Sequence, residues 1–78
     1  MSGKLRLVDA EKVIKVLKRV GFEVRRQKGS HVILKNTSGK VVVIPVHSGE
    51  KIGRGLLLKI IRQAGMSKEE FLKLLDEI

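Results

Sequence analysis

The order of hydrophobic patterns along the chain is the feature that most restricts its fold. A segment with helical periodicity comes first, three short segments that alternate apolar and polar residues follow, and a second helical segment comes after them. Strands that follow one another closely pair as a meander, and helices on either side of a meander pack together on one face of the sheet. The order therefore predicts an α+β domain of α-β-β-β-α type whose other sheet face is open.

The first helical segment begins after Asp9, a residue type that favours the N-cap position. Successive helical residues are separated by about 100° around the axis, which gives this segment an apolar arc and an opposite basic arc. The apolar arc holds Ala10, Val13, Ile14, Val16, Leu17 and Val20. Gly21 follows and suits the left-handed position that ends many helices. An amphipathic helix is therefore predicted here, with its apolar arc against the sheet.

Three strands are predicted next, over residues 22–26, 30–36 and 40–46. Lys28-Gly29 predicts a tight turn between the first two, and residues 36–39 (NTSG) predict a hairpin turn between the last two. In the second strand, Val32 and Leu34 share one face, because side chains alternate along a strand. The other face holds His31, Ile33 and Lys35. If the valine and leucine face the helices, the histidine lies on the open sheet face.

A second helix is predicted from about Arg54 to Ala64, after a loop over residues 46–55. Its apolar arc holds Leu56, Leu57, Ile60, Ile61 and Ala64. Leu58 falls on the basic arc, where a core residue is not expected. Ser67 and Glu70 then have the spacing of a capping box, which predicts a short last helix over residues 68–77.

The charge balance indicates the kind of partner. The 78 residues, expected to form one domain with residues 1–8 as an N-terminal tail or arm, carry 17 Lys and Arg against 8 Asp and Glu. A net charge of +9 on so small a body attracts polyanions, and nucleic acid is the leading partner. The alternative is a well-solvated basic surface that promotes solubility.

Several function classes are disfavoured by what the chain lacks. It has no cysteine, which excludes disulfides and thiolate chemistry, and two histidines are too few for a convincing metal site. The glycines of the loop do not have phosphate-loop spacing. No cofactor is therefore expected. No apolar run suits a signal peptide or a membrane span, so no membrane partner and a cytoplasmic location are expected.

His31 is the leading candidate for catalysis. An imidazole accepts and donates protons near neutral pH, and RNA supplies its own nucleophile, the 2′-hydroxyl. A ribonuclease then needs a base, an acid and positive charge at the phosphate. The nearby cations are Arg25, Arg26, Lys28 and Lys35. Residue chemistry alone favours the alternative, a surface histidine in a turn.

His47, after the third strand, is a candidate for a second acid or base, a phosphate contact or a loop-ordering residue. The alternative is a histidine that bonds only to backbone. A second set of cations consists of Lys51, Arg54, Lys59 and Arg62, on or just before the second helix. Trp and Tyr are absent, and Phe22 and Phe71 fall on apolar arcs. RNA binding, expected at Ser30 and at both sets of cations, should therefore depend on phosphates and shape rather than on aromatic stacking.

Four segments, in this order and spacing, resemble the HicA or YcfA-like toxin family. They are residues 16–22 (VLKRVGF), 28–31 (KGSH), 43–47 (VIPVH) and 57–65 (LLKIIRQAG). The resemblance implies a double-stranded-RNA-binding-like fold, a layout that the order of elements also predicts. It further implies metal-independent cleavage of mRNA by a toxin that a HicB-type antitoxin silences.

The resemblance also assigns residues. The family's catalytic histidine falls on His31, its preceding Gly-Ser pair falls on Gly29 and Ser30, and its histidine after the third strand matches His47. Many members carry further histidines along the second strand, where this chain has residues such as Val32. Two alternatives remain: a non-catalytic RNA-binding module, and a protein-interaction domain that binds an acidic partner.

The scarcity of metal ligands leads to a prediction. RNA cleavage by the purified protein should persist in excess chelator, because the proposed chemistry needs only imidazole and positive charge. Cleavage is measured on a labelled RNA with and without chelator. Loss of activity that a divalent ion restores would refute the metal-independent mechanism.

Overall fold

The computed structural model of the protein describes residues 7–46 and 51–78. In chain order the elements are β1 (Val8–Asp9), α1 (Ala10–Arg19), β2 (Glu23–Lys28), β3 (His31–Lys35), β4 (Val41–Pro45), β5 (Lys51–Ile52), α2 (Arg54–Gln63) and α3 (Lys68–Asp76). β2, β3 and β4 form an antiparallel sheet with β3 in the centre. Helices α1 and α2 both contact β4. The predicted α+β fold class is therefore confirmed.

Two tight turns set the register of the sheet. Gly29 has φ of +60°, whereas Ser30, like every described non-glycine residue, does not have positive φ. This combination is that of a type II′ turn over Gly29 and Ser30. In the second turn, the side-chain oxygen of Asn36 accepts a bond of 2.8 Å from the Lys40 N–H, and Gly39 has φ of +89°. Both turns occur where glycine was predicted to mark them, and they align the three strands without a long connection.

The core is apolar throughout the described part of the chain, which has no buried polar or charged residue. From the sheet it receives Val32, Leu34, Val42 and Ile44, and from the two longer helices Val13, Val16, Leu17, Leu57, Ile60 and Ile61. Phe71 of α3 is fully buried and closes one side of this core. The predicted assignment of one β3 face to the interior is confirmed.

β2 differs from its prediction. It begins at Glu23 and extends to Lys28, whereas Phe22 precedes it and is buried. All six residues of β2 are exposed, including Val24. The register shifts between Val24 and Arg26, so Arg25 is the extra residue of a β-bulge. Because β2 is an edge strand, its side chains are only partly covered, and Val24 does not reach the interior.

At the edges of the apolar arcs of α1 and α2, burial differs from the prediction. Val20, predicted on the apolar arc of α1, follows the end of the helix and is 39% exposed. Leu56, predicted in the core, is 36% exposed, whereas Leu58 is half-buried. These two leucines lie about 100° to either side of Leu57, at opposite margins of the buried arc. A helical wheel identifies the centre of such an arc better than its edges.

A small second sheet pairs β1 with β5, and β5 lies in the segment that was predicted to be a loop over residues 46–55. Val8, at the end of the predicted arm, pairs with Ile52, and both side chains are buried. Asp9 is the N-cap residue of α1, as predicted, but its side chain makes no capping bond. Its carboxylate instead lies 3.1 Å from Lys51 Nζ. The sheet therefore joins the start of α1 to the segment before α2.

Two further findings concern the helices. The capping box is confirmed: Ser67 Oγ accepts a bond of 3.0 Å from the Glu70 N–H, and Glu70 Oε1 accepts one of 3.1 Å from the Ser67 N–H. In the described residues, none of the helices has the length and apolar character that crossing a bilayer requires.

The capping box makes a testable contribution to stability, because α3 carries the buried Phe71. Ser67→Ala removes the side-chain acceptor and should lower the free energy of unfolding by about 1 kcal/mol, the usual cost of losing such a cap. Ser38→Ala, at an exposed position in the β3–β4 turn, is the control and should change it by less than about 0.5 kcal/mol. Denaturant melts of the two variants give the comparison. Equal stabilities would show that the cap does not hold α3.

Candidate functional site

The face of the three-stranded sheet opposite the core is the candidate site. Residues paired across an antiparallel sheet have side chains on the same face, so the register defines this surface. We call it the open face, and it consists of Glu23, Arg26, Lys28, His31, Ile33, Lys35, Val41, Val43 and Pro45. On β3 and β4 its residues alternate with buried neighbours. The open face is therefore a direct consequence of burying the other side of the sheet.

The open face is organised in three rows that cross β2, β3 and β4 in that order. The rows are Lys28–His31–Pro45, Arg26–Ile33–Val43 and Glu23–Lys35–Val41. Its β2 side is therefore charged and mainly basic, whereas its β4 side is apolar. Neighbouring strands are about 4.8 Å apart, so these two sides are separated by roughly 10 Å.

His31 is the first residue of β3 and is exposed. It lies directly across from Lys28 on one side and Pro45 on the other, and opposite Cβ atoms in such pairs are about 5 Å apart. Among the described residues, its side chain makes no hydrogen bond or ion pair. The imidazole is therefore open to a ligand, with a cation beside it.

The bulge in β2 affects two of the predicted cations. Arg26 pairs with Ile33 and belongs to the open face, whereas Arg25 has no partner on β3. Arg25 Nη1 lies 3.5 Å from Glu23 Oε1, with both side chains more than half exposed. Such an exposed pair contributes little to stability, so Arg25 remains available to an anion. Lys35 lies at the opposite end of β3 from His31, about 13 Å away at the usual rise of a strand.

The segment that leads to the second histidine is held against the turn before the first. The N–H of Val46 donates to the carbonyl oxygen of Ser30, which is half-buried. His47 is the next residue and lies outside the described residues. Ser30, which precedes His31, is thus bonded to Val46, which precedes His47.

Part of the second set of predicted cations lies on a different surface. Lys51, Arg54, Lys59 and Arg62 are all exposed. Lys59 and Arg62 lie on the outer side of α2, whose inner side is buried against the sheet. The structure therefore places Lys59 and Arg62 away from the open face. The two sets were predicted together as RNA-binding residues, but the fold puts these two cations on a separate surface.

The apolar half of the open face was not predicted from the sequence. Val41 and Val43 are 46% and 39% exposed. One signal in the sequence could have identified them. Val41 and Val43 alternate with Val42 and Ile44, and pairing this alternation with that of β3 places Val41 and Val43 on the open face. Within residues 7–46 and 51–78, no three His, Asp or Glu residues cluster so as to hold a metal ion.

The fold and the open face together indicate the class of protein. A three-stranded antiparallel sheet with two helices on one face is compatible with the double-stranded-RNA-binding fold, and its exposed histidine lies beside basic residues. The chain matches the family described as HicA toxin of bacterial toxin-antitoxin over residues 10–66, which is most of its length. The chain therefore belongs to the HicA toxin family of bacterial toxin–antitoxin systems, as its sequence pattern predicted. That membership implies an antitoxin partner. No match was found among curated proteins.

The exposure of His31 predicts that the fold does not need it. His31→Ala should change the free energy of unfolding by less than about 0.5 kcal/mol, as at most surface positions. Leu34→Ala, three residues along the same strand and fully buried, is the matched control and should cost about 2–5 kcal/mol. Denaturant melts measure both variants. A large loss of stability in His31→Ala would mean that the histidine is structural.

Proposed function

We propose that the protein is an endoribonuclease toxin that cleaves mRNA with His31 as its acid–base group. The observation that carries the proposal is the place of His31 on the open face, exposed, without a described side-chain partner and directly across from Lys28. A structural histidine would be expected to make buried contacts. A reactive one needs access to its substrate and positive charge at the phosphate.

The proposed reaction uses the nucleophile that RNA already contains. The imidazole of His31 removes the proton of a 2′-hydroxyl, and the oxygen attacks the adjacent phosphorus. The bond from phosphorus to the 5′-oxygen of the next nucleotide breaks, and that oxygen receives a proton from a general acid. The products are a 2′,3′-cyclic phosphate and a 5′-hydroxyl. No metal ion or cofactor is required by this scheme.

Two other groups complete the proposed mechanism. Lys28 lies in the same row as His31, so its ammonium group is suited to stabilise the negative charge that develops on the phosphate. We propose His47 as the second acid or base. The bond from Val46 to the carbonyl of Ser30 supports this role, because it anchors the preceding residue beside the turn that ends at His31. Ser30 contributes to the site through this backbone contact.

The partners and setting are also part of the proposal. The remaining predicted cations, Arg25, Arg26, Lys35, Lys51, Arg54, Lys59 and Arg62, would contact RNA phosphates. The antitoxin that the family implies would be of HicB type, and the toxin would act in the cytoplasm, where mRNA is translated. The net charge of +9 supports RNA as the substrate, because it attracts a polyanion at long range.

A non-catalytic RNA-binding module is the second candidate function. It is favoured by one observation: exposed cations occur both on the open face and on the outer side of α2, which lies away from His31. A protein that only binds RNA needs such cations but no histidine. The two functions therefore differ in what removal of the imidazole does.

The decisive experiment compares cleavage and binding in one preparation of His31→Ala. Cleavage should fall by roughly 10²- to 10⁴-fold, the usual contribution of a positioned acid or base. RNA affinity should stay close to that of the parent, because phosphate contacts dominate it. The measurements are a time course on labelled RNA and a binding titration. Thr37→Ala, at an exposed position in the β3–β4 turn, is the control and should cut at the parental rate.

The alternatives give different patterns in the same assays. If His31→Ala cuts as fast as the parent, the histidine has no catalytic role and His47→Ala becomes the next variant to test. If the parent binds RNA but never cuts it, the binding module is the better description.

A further inference from the structure

We propose that the open face binds single-stranded RNA in a fixed orientation, with phosphates along its β2 side and unpaired bases against its β4 side. This inference rests on the proposed function, because it assigns the substrate strand a place around His31. The base-binding part is here called the apolar strip, and it consists of Ile33, Val41, Val43 and Pro45. The strip has no place in the cleavage chemistry described above.

The first argument is the continuity of the apolar strip. Single exposed apolar residues are common on protein surfaces and need no explanation. Here, however, Val41 and Val43 are exposed next to each other on one strand, and Val43 is directly paired with the half-buried Ile33. Pro45 continues the strip to the row of His31. An apolar surface thus runs beside the catalytic candidate and ends there.

The second argument is the charge on the other side of His31. Lys28 and Arg26 occupy the first two rows of β2, opposite His31 and Ile33. The basic and apolar sides are separated by roughly 10 Å, the width of three strands. In a nucleotide, the phosphate and the base extend from opposite sides of the ribose. An RNA strand that follows β3 can therefore place phosphates towards β2 and bases towards β4.

The third argument distinguishes a single strand from a duplex. In an RNA helix the bases stack inside, and a protein meets mainly phosphates and 2′-hydroxyl groups. An apolar strip contributes nothing to such a surface. Unpaired bases, in contrast, expose apolar ring faces that lose contact with water on the strip. The strip also fits a base better than a protein partner, because it has four residues, whereas a stable protein interface involves about 20–30 residues on each side.

The chemistry of the strip also limits its specificity. Phe22 and Phe71, the two aromatic residues of the chain, are both buried, so no aromatic ring is available for stacking. Valine, isoleucine and proline offer shape and apolar area but no hydrogen bond to a base edge. The strip should therefore favour unpaired over paired RNA, with little preference among the bases.

The test measures binding of a labelled single-stranded RNA at several salt concentrations, by fluorescence anisotropy, in a His31→Ala background that prevents cleavage. Val43→Thr replaces a methyl group by a hydroxyl with little change of shape, and threonine suits a strand. It should weaken binding about 4-fold, the equivalent of one buried methylene group, and leave the salt dependence unchanged. Val41→Thr combined with Val43→Thr should weaken binding by about 10-fold or more.

Variants of the charged side should change the salt dependence of RNA affinity, which the valine variants leave unchanged. Arg26→Gln combined with Lys28→Gln should make the log–log salt dependence of affinity shallower by about 1.4, since each phosphate contact to a single strand contributes about 0.7. The loss caused by Val43→Thr should persist in this background. The same pair of neutralisations made at Lys15 and Lys18, two exposed residues of α1 outside the proposed RNA contacts, is the matched control, and it should alter the slope less.

Two controls isolate the base contact. Val20→Thr changes a valine of equal exposure, 39%, which lies after α1 and outside the open face, and it should leave RNA affinity unchanged. A strand of abasic nucleotides should bind the parent and Val43→Thr equally, because it offers phosphates without bases. The abasic strand also tests the inference without any variant, since the parent should bind it more weakly than normal RNA.

The inference is overturned if the valine double variant binds single-stranded RNA as tightly as the parent, or if duplex RNA suffers the same loss. It is also overturned if that variant keeps its RNA affinity and loses only antitoxin binding. These results are separable from the fate of the proposed function. If cleavage requires His31 but RNA affinity does not depend on the apolar strip, the proposed nuclease function stands and this inference fails. If RNA affinity depends on the strip but the protein does not cleave RNA, this inference stands and the nuclease function fails.

Discussion

The burial of Val32 and Leu34 against the helices is the constraint from which the rest of the site follows. Both lie on β3, the central strand, which is paired on each side and cannot roll without breaking two ladders. Because strand side chains alternate, holding these two inside directs His31, Ile33 and Lys35 to the opposite face. A register slip of one residue would bury the histidine and expose the leucine. Packing in the core thus orients the chemistry on the surface.

The edges of the sheet give the open face its two chemical characters. No side chain of β2 is buried by either main helix, and most residues of this strand are charged. β4 is contacted by both helices on its inner side, so its sequence is dominated by valine and isoleucine, and the outward valines remain at the surface. Strand β3 lies between the two and carries His31. The proposed catalytic histidine and the basic and apolar groups therefore occur together because three strands with different surroundings are neighbours.

The distribution of charge is consistent with the RNA binding that we propose. Its 17 basic residues repel one another, and the described ion pairs, such as Asp9 with Lys51, relieve this only at the surface. The core of the described chain contains no polar group, so charge is excluded from the interior and covers the outside. A polyanion that binds this surface would remove part of the repulsion. The proposed RNA binding and the stability of the small fold are therefore expected to support each other.

The local pattern of residues was sufficient to predict the number and order of the main elements, the glycine turns, the Ser67 capping box and the outward direction of His31. These features depend on interactions within a few residues, or on an alternation that any one-sided sheet imposes. The family could also be identified at this level, because its motifs are contiguous. The contacts of β2 could not be predicted from the sequence, since the bulge at Arg25 depends on how an edge strand pairs. The pairing of Val8 with Ile52 and the separation of Lys59 and Arg62 from the open face could not be predicted either. Only packing between distant segments decides which of these side chains become neighbours.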